Sequence, residues 1–94
     1  MTTTVALNGF LRCADERQAD RVRAALHTHV QLTRAEPGCL CFDVTPTDDP
    51  LVWQVREEFS DAAAFEAHQT RAAGSDWASM TAGISRDYQI TGLT

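Results

Sequence analysis

The order in which the hydrophobic period changes along these 94 residues constrains the fold more than any other feature. Thr4 to Cys13 (TVALNGFLRC) alternates, with Val5, Leu7, Gly9 and Leu11 on one face and Ala6, Asn8, Phe10 and Arg12 on the other. The period then lengthens. Ala19, Val22, Leu26, His29 and Thr33 recur at spacings of three and four, with Val30 beside them, so the segment opened by Ala14-Asp15-Glu16 is a helix. Asp15 suits its N-cap and Glu16 the positive end of its dipole. Glu36-Pro37-Gly38 ends it, because Pro37 cannot continue a helix and disfavours a helical Glu36.

Cys39 to Thr47 alternates again, Leu40, Phe42 and Val44 against Cys39, Cys41 and Asp43, and Leu51 to Phe59 (LVWQVREEF) is rich in β-formers. Thr47-Asp48-Asp49-Pro50 has the composition of a turn, which makes the two strands a hairpin. Ser60-Asp61 starts a second helix, Ser60 as N-cap and Asp61 in the first turn, with Phe65 and His68 on one face. Gly74 breaks it, and Ser75-Asp76 caps a short helix carrying Trp77 and Met80. Ile84 to Leu93 is a last strand with Arg86, Tyr88 and Ile90 on one face.

The order β-α-β-β-α-β predicts a ferredoxin-like α+β fold with an antiparallel four-stranded sheet. Residues 1–94 read as a single domain, and a chain this short buries a modest core. One sheet with helices on one face leaves its other face bare. Val5, Leu7, Leu11 and the apolar residues of the hairpin look too many to hide under two helices. A second sheet packed face to face covers them, so the expected assembly is a homodimer, a dimeric α+β barrel.

Composition excludes several classes. The net charge is −5, and the eight basic residues, all Arg, are scattered singly. A nucleic-acid or anionic-membrane partner needs a concentrated positive footprint. No run approaches the roughly 20 apolar residues that span a bilayer. Met1-Thr2-Thr3-Thr4 lacks the basic and apolar regions of a signal peptide, so the expected location is the cytoplasm. Three cysteines, an odd number, argue against a disulfide framework. Cys39 and Cys41, two apart in a strand, are expected on one face. They lack the spacing and further ligands of a zinc site and read as buried small apolar residues, so no metal is expected. There is no Gly-rich phosphate loop, nucleophile elbow or metal-binding histidine pair.

Four tracts, in order and spacing, resemble the antibiotic-biosynthesis-monooxygenase family over nearly the whole chain. They are Arg34-Ala35-Glu36-Pro37-Gly38-Cys39-Leu40, Glu57-Glu58-Phe59-Ser60-Asp61, Phe65-Glu66-Ala67-His68 and Ser75-Asp76-Trp77. The resemblance implies the dimeric α+β barrel and cofactor-independent oxygenation of phenolic or quinol substrates by O₂. Some relatives degrade haem. In those relatives an aromatic residue occupies the position of His68 and the haem-ligating histidine falls where this chain has Thr81, which argues against haem here. In quinone-forming relatives a tryptophan matches Phe59, a tyrosine Phe65 and an asparagine Val55, so their polar site is largely apolar in this chain.

Oxygenation without flavin or metal makes the substrate the reductant. The protein must supply a proton acceptor, donors for the substrate oxygens and a dry pocket. His68 is the first catalytic candidate: histidine titrates near neutral pH, and this one matches the family's FxxH position and faces the sheet. The plain alternative is a core histidine bonded to a backbone carbonyl. Asn8 is the second, an amide on a central strand flanked by Ala6 and Phe10 on its face; a buried amide must find partners, one of which can be a ligand. It matches the strand-one asparagine of the haem-degrading relatives; its plain alternative is a backbone-bonded core amide. Trp77, Phe65, Phe42, Trp53 and Tyr88 are aromatics able to line a flat apolar pocket or simply to pack the core. His29, on the apolar stripe of the first helix, is a second candidate pocket histidine. Arg86 and Arg56 pair with a substrate anion or, as surface ion pairs, with Glu57 and Glu58.

The function expected is therefore a cofactor-free monooxygenase acting with O₂ on a small aromatic phenol, hydroquinone or polyketide. The alternative is a non-catalytic small-molecule binder or a cyclase or isomerase on the same barrel. An enclosed pocket containing His68 favours the enzyme. A core filled solid by Phe42, Phe65 and Trp77 favours the alternative.

Overall fold

A computed structural model describes residues 3–93. Seven elements follow in order: β1 (Val5–Arg12), α1 (Glu16–Arg34), β2 (Cys39–Pro46), β3 (Val52–Phe59), α2 (Ala62–Ala73), α3 (Asp76–Met80) and β4 (Ser85–Thr91). The strands form one antiparallel sheet in the order β2-β3-β1-β4. This is the ferredoxin-like fold that the changing period predicts. No helix among the described residues is long and apolar enough to cross a membrane.

Local chemistry sets the boundaries. The Asp15 carboxylate accepts the Gln18 amide at 3.0 Å and caps α1. In the hairpin turn, Asp49 Oδ1 accepts the Leu51 amide at 2.9 Å. The expected cap of α2 is corrected by one residue. Asp61, not Ser60, is the N-cap, accepting the Ala64 amide at 2.8 Å. The Ser60 amide instead donates to the Gly38 carbonyl at 2.8 Å, tying the end of β3 to the turn before β2.

β2 carries a bulge. Cys39 pairs with Phe59, but Cys41 pairs with Glu58, so the two cysteines take opposite faces of the sheet rather than sharing one. Both are half-buried, and Leu40 is pushed out to 57% exposure. Only Phe42 and Val44 of the expected apolar set of β2 reach the core.

The core lies between the sheet and the helices. Val5, Leu11, Ala19, Val22 and Phe59 are wholly buried, with Leu7, Val55 and Phe65 close behind. Burying Phe59 alone is worth roughly 2–3 kcal/mol relative to leaving it exposed. The expectation that Val5, Leu7, Leu11 and the apolar residues of the hairpin cannot all hide under two helices fails for those three, which are buried, and holds for Leu40, which stays exposed. The opposite face of the sheet carries Asn8, Gln54, Arg56, Asp87 and Gln89, all exposed, around Phe10. Unburied core residues consequently give no reason for a second sheet.

Candidate active site

Alternation along β3 sends Trp53, Val55, Glu57 and Phe59 toward the helices, and all four are buried. A carboxylate therefore stands in an otherwise apolar row. On α2, Phe65, His68 and Arg71 follow at intervals of three and share one side. His29 and Thr33, four apart, present a buried edge of α1. Beyond its end, Glu36 comes over α2 because the turn sits tightly on the start of that helix. A Cβ added at Gly38 (φ +85) would stand 2.6 Å from the Ala64 Cβ and 2.7 Å from the Ser60 Oγ. Only glycine fits both that backbone conformation and that gap.

These elements converge on His68. Its imidazole is 3% exposed, and its Nδ1 lies 2.7 Å from Glu36 Oε1. Its Nε2 points to the other carboxylate, 3.7 Å from Glu57 Oε1. Phe59 stacks on the ring with centroids 5.0 Å apart, and Phe42 packs at 5.7 Å. Arg71 donates from Nε to Glu36 Oε2 at 3.4 Å and from Nη2 to Glu36 Oε1 at 3.3 Å and Thr33 Oγ1 at 2.9 Å.

The two carboxylates flanking His68 are chemically unequal. Burial pushes the Glu36 carboxyl up, but hydrogen bonds from Arg71 and His68 outweigh it and hold the group below its ordinary range. Among the described residues Glu57 Oε1 has no hydrogen-bond partner. Burial, with the charge of Glu36 adding to it, pushes Glu57 up to about 7. One side of the imidazole therefore faces a fixed anion, and the other a carboxyl poised to hold or release a proton near neutrality. Environments that push apart the behaviour of two like groups are a physical mark of acid–base sites.

A cleft of about 330 Å³ opens over this floor, walled by Leu7, Trp77, Tyr88 and Ile90. Burial pushes the Tyr88 phenol up to about 12, so it stays neutral. Arg86 also borders the cleft, but its guanidinium is engaged elsewhere. Nη1 donates to the Ile84 carbonyl at 2.9 Å and Nη2 to Thr81 Oγ1 at 2.8 Å. The expected Arg86 surface pair with Glu57 is thereby corrected: Glu57 is buried and Arg86 serves the β4 entry loop. Thr81, at the relatives' haem-ligand position, is wholly buried and donates to the Trp77 carbonyl. Among the described residues no group of three or more His, Cys, Asp or Glu is arranged to hold a metal ion.

His29 lies behind Trp77, and burial pushes it down to about 4, so it is neutral. A larger groove of about 630 Å³ runs between α1 and α3 and shares His29 and Trp77 with the cleft, but neither His68 nor Glu57 reaches it.

Of the residues singled out from sequence, the structure brings His68, Trp77, Tyr88 and His29 to one cleft. Phe42 and Phe65 stand behind His68 as core, Phe65 packing edge-on against Phe59. Trp53 is remote, beside Leu26 and Val30 of α1. Asn8 is on the far face of the sheet, exposed, in a hollow with Gln54, Asp87 and Gln89. The expected buried amide is corrected: strand parity turns Asn8 away from the helices that cover Leu7. Sequence reasoning missed Glu57, Glu36 and Arg71 as site residues. The signals were present: Glu57 has the core parity of β3, Glu36 begins the EPGC tract, and Arg71 lies one turn after His68.

The sequence profile described as antibiotic biosynthesis monooxygenase matches residues 4–79. No protein of curated function matches the chain significantly. Among solved structures, a Nitrosomonas europaea protein whose description names the same family superposes with a TM-score of 0.80 at 19% identity, covering 98% of this chain and 91% of that one. MupZ from Pseudomonas fluorescens superposes with a TM-score of 0.76 at 24% identity, covering 98% of this chain and 70% of its own. A Pseudomonas aeruginosa protein superposes with a TM-score of 0.72 at 25% identity, covering 97% and 92%. These likenesses agree with the fold, and the profile match over most of the chain carries the assignment: the chain belongs to the antibiotic biosynthesis monooxygenase family.

Proposed function

We propose that this protein oxidises a small electron-rich phenol or hydroquinone with O₂, without flavin or metal. The observation that carries the reading is His68 set between an ionised and a protonatable carboxylate at the floor of an aromatic-walled cleft. In this reading the phenol gives its proton to His68 Nε2, and the phenolate passes one electron to O₂. The aryloxyl radical and superoxide then join through a ring carbon. The peroxide takes up a proton, the O–O bond breaks, the ring C–H proton leaves, and the products are a quinone and one water. Glu57, while protonated, donates to a substrate oxygen as charge develops there. Trp77 and Tyr88 flank a flat ring. A homodimer, and a place in the cytoplasm, belong to the same reading.

One observation favours the binding-only alternative: the imidazole is 3% exposed, and Phe42 and Phe65 fill the core behind it. A substrate reaches Nε2 only if the cleft floor opens. Oxygen-electrode measurements with dihydroxynaphthalenes and related hydroquinones separate the readings. Uptake with quinone formation, lost in His68→Ala, is the expected result. No uptake above the spontaneous rate across the panel, or equal rates in the variant, rejects the oxygenase reading.

A further inference from the structure

We infer that Glu36, anchored by Arg71, is a positioning residue that holds the His68 imidazole in its Nδ1–H form and leaves Nε2 as the proton acceptor. The inference rests on the reading of His68 as the base. It turns the turn that closes α1 from a structural motif into part of the proton-transfer apparatus.

The polar groups that approach the ring come from every element around it: Glu36 from the α1–β2 turn, Glu57 from β3, His29 from α1, Arg71 from α2, and Arg86 and Tyr88 from β4. Among the described residues only Glu36 makes a hydrogen bond to the imidazole. Glu36 Oε1 lies 2.7 Å from Nδ1, whereas Glu57 Oε1 at 3.7 Å from Nε2 is beyond hydrogen-bond reach. His29 approaches only ring to ring, with centroids 6.0 Å apart. A charged acceptor at that distance demands a donor, so the proton of the neutral ring resides on Nδ1. The lone pair of Nε2 is then directed toward Glu57.

The acceptor is itself fixed. Arg71 reaches both oxygens of Glu36, and its Nη2 also donates to Thr33 Oγ1, whose hydroxyl donates to the His29 carbonyl at 2.8 Å. This chain of bonds links α1, the turn and α2, so Glu36 does not swing away when a ligand enters. The stacked Phe59 keeps the ring from rotating out of register. A carboxylate that fixes the tautomer of a catalytic histidine is worth up to about 10⁴ in rate in the serine-protease triad.

The test is long-range ¹H–¹⁵N NMR of protein labelled at histidine, with the His68 signals assigned from their loss in His68→Gln. Wild-type protein is expected to show a protonated Nδ1 and a bare Nε2 while the ring is neutral. In Glu36→Ala the proton is expected to move to Nε2, the form a free imidazole prefers and the one that faces Glu57. A wild-type ring protonated on Nε2, or a mixture of both forms, overturns the inference even if the variant does not fold. So does an unchanged tautomer in a folded Glu36→Ala. With any substrate that supports oxygen uptake, Glu36→Gln should lose at least ten-fold in kcat with KM changed less than three-fold, and Glu36→Asp should recover part of the loss. Absence of uptake rejects the oxygenase reading and leaves the tautomer result standing on its own.

Discussion

His29 and Trp77 lie face to face, with ring centroids 4.6 Å apart and planes within 1° of parallel. The stack joins α1 to α3, a five-residue helix with no buried residue of its own, and forms the wall between the cleft and the larger groove. Such pairs contribute about 0.5–1.5 kcal/mol beyond the area they bury. A double-mutant cycle with His29→Ala and Trp77→Ala should therefore show a coupling of about that size in urea unfolding. Strict additivity would mean that the contact does not hold α3 in solution.

The same histidine and Glu57 tilt stability with pH in opposite directions. His29 is pushed from 6.5 down to about 4, so the unfolded chain takes up a proton that the folded chain refuses. Its contribution is complete above 6.5 and is lost as pH falls toward 4. Glu57 is pushed from 4.5 up to about 7, so the folded chain keeps a proton that the unfolded chain has released. Its contribution is complete below 4.5 and is lost as pH rises through 7. Between 4.5 and 6.5 the two slopes oppose one another. Glu57→Gln should unmask the His29 slope, stability rising by about 1.4 kcal/mol per pH unit across that window. His29→Leu should unmask the reverse slope. Parallel profiles of unfolding free energy in the two variants would sink this account.

The fold was legible because period and punctuation are local. Alternation, the Asp15 cap and Pro37 each act within a few residues, and together they order every element. What failed was non-local. The Cys39–Cys41 bulge depends on how β2 meets β3, and no pattern inside CLC announces it. The burial of Leu7 depends on how far two helices spread over a sheet, which composition does not measure. His68 was found because histidine carries its chemistry with it. Glu57 was passed over as a surface ion-pair partner for Arg86 or Arg56, although its parity with Trp53 and Val55 places it inside. Charge suggested the surface and geometry decided for the core.

Gly9 couples the fold to the site. It sits in β1 opposite Tyr88 of β4, and a Cβ there would stand 2.0 Å from the Asp87 carbonyl oxygen, which is backbone and cannot yield cheaply. Gly9→Ala should push β4 from the sheet and cost at least about 2 kcal/mol. Because β4 carries Tyr88 and Arg86, amide exchange should rise across Ser85–Thr91. Wild-type stability with unaltered protection of β4 would show that the sheet absorbs the methyl group elsewhere.

The proposed reaction should carry the signature of Glu57 on its alkaline side. If the protonated carboxyl donates to a substrate oxygen, kcat/KM falls as pH rises through about 7, where the proton leaves. Glutamine is close to the same shape and keeps an N–H donor that does not titrate in this range. Glu57→Gln should therefore be slower than wild type at pH 6, by about 100-fold at the low end of what a general acid contributes, yet show no decline through pH 7 to 8.5. The profile is read from initial rates of oxygen uptake, with the non-enzymatic oxidation of the phenol subtracted at each pH. If the variant keeps the wild-type decline, the titrating group lies elsewhere, and the donor role assigned to Glu57 falls with it.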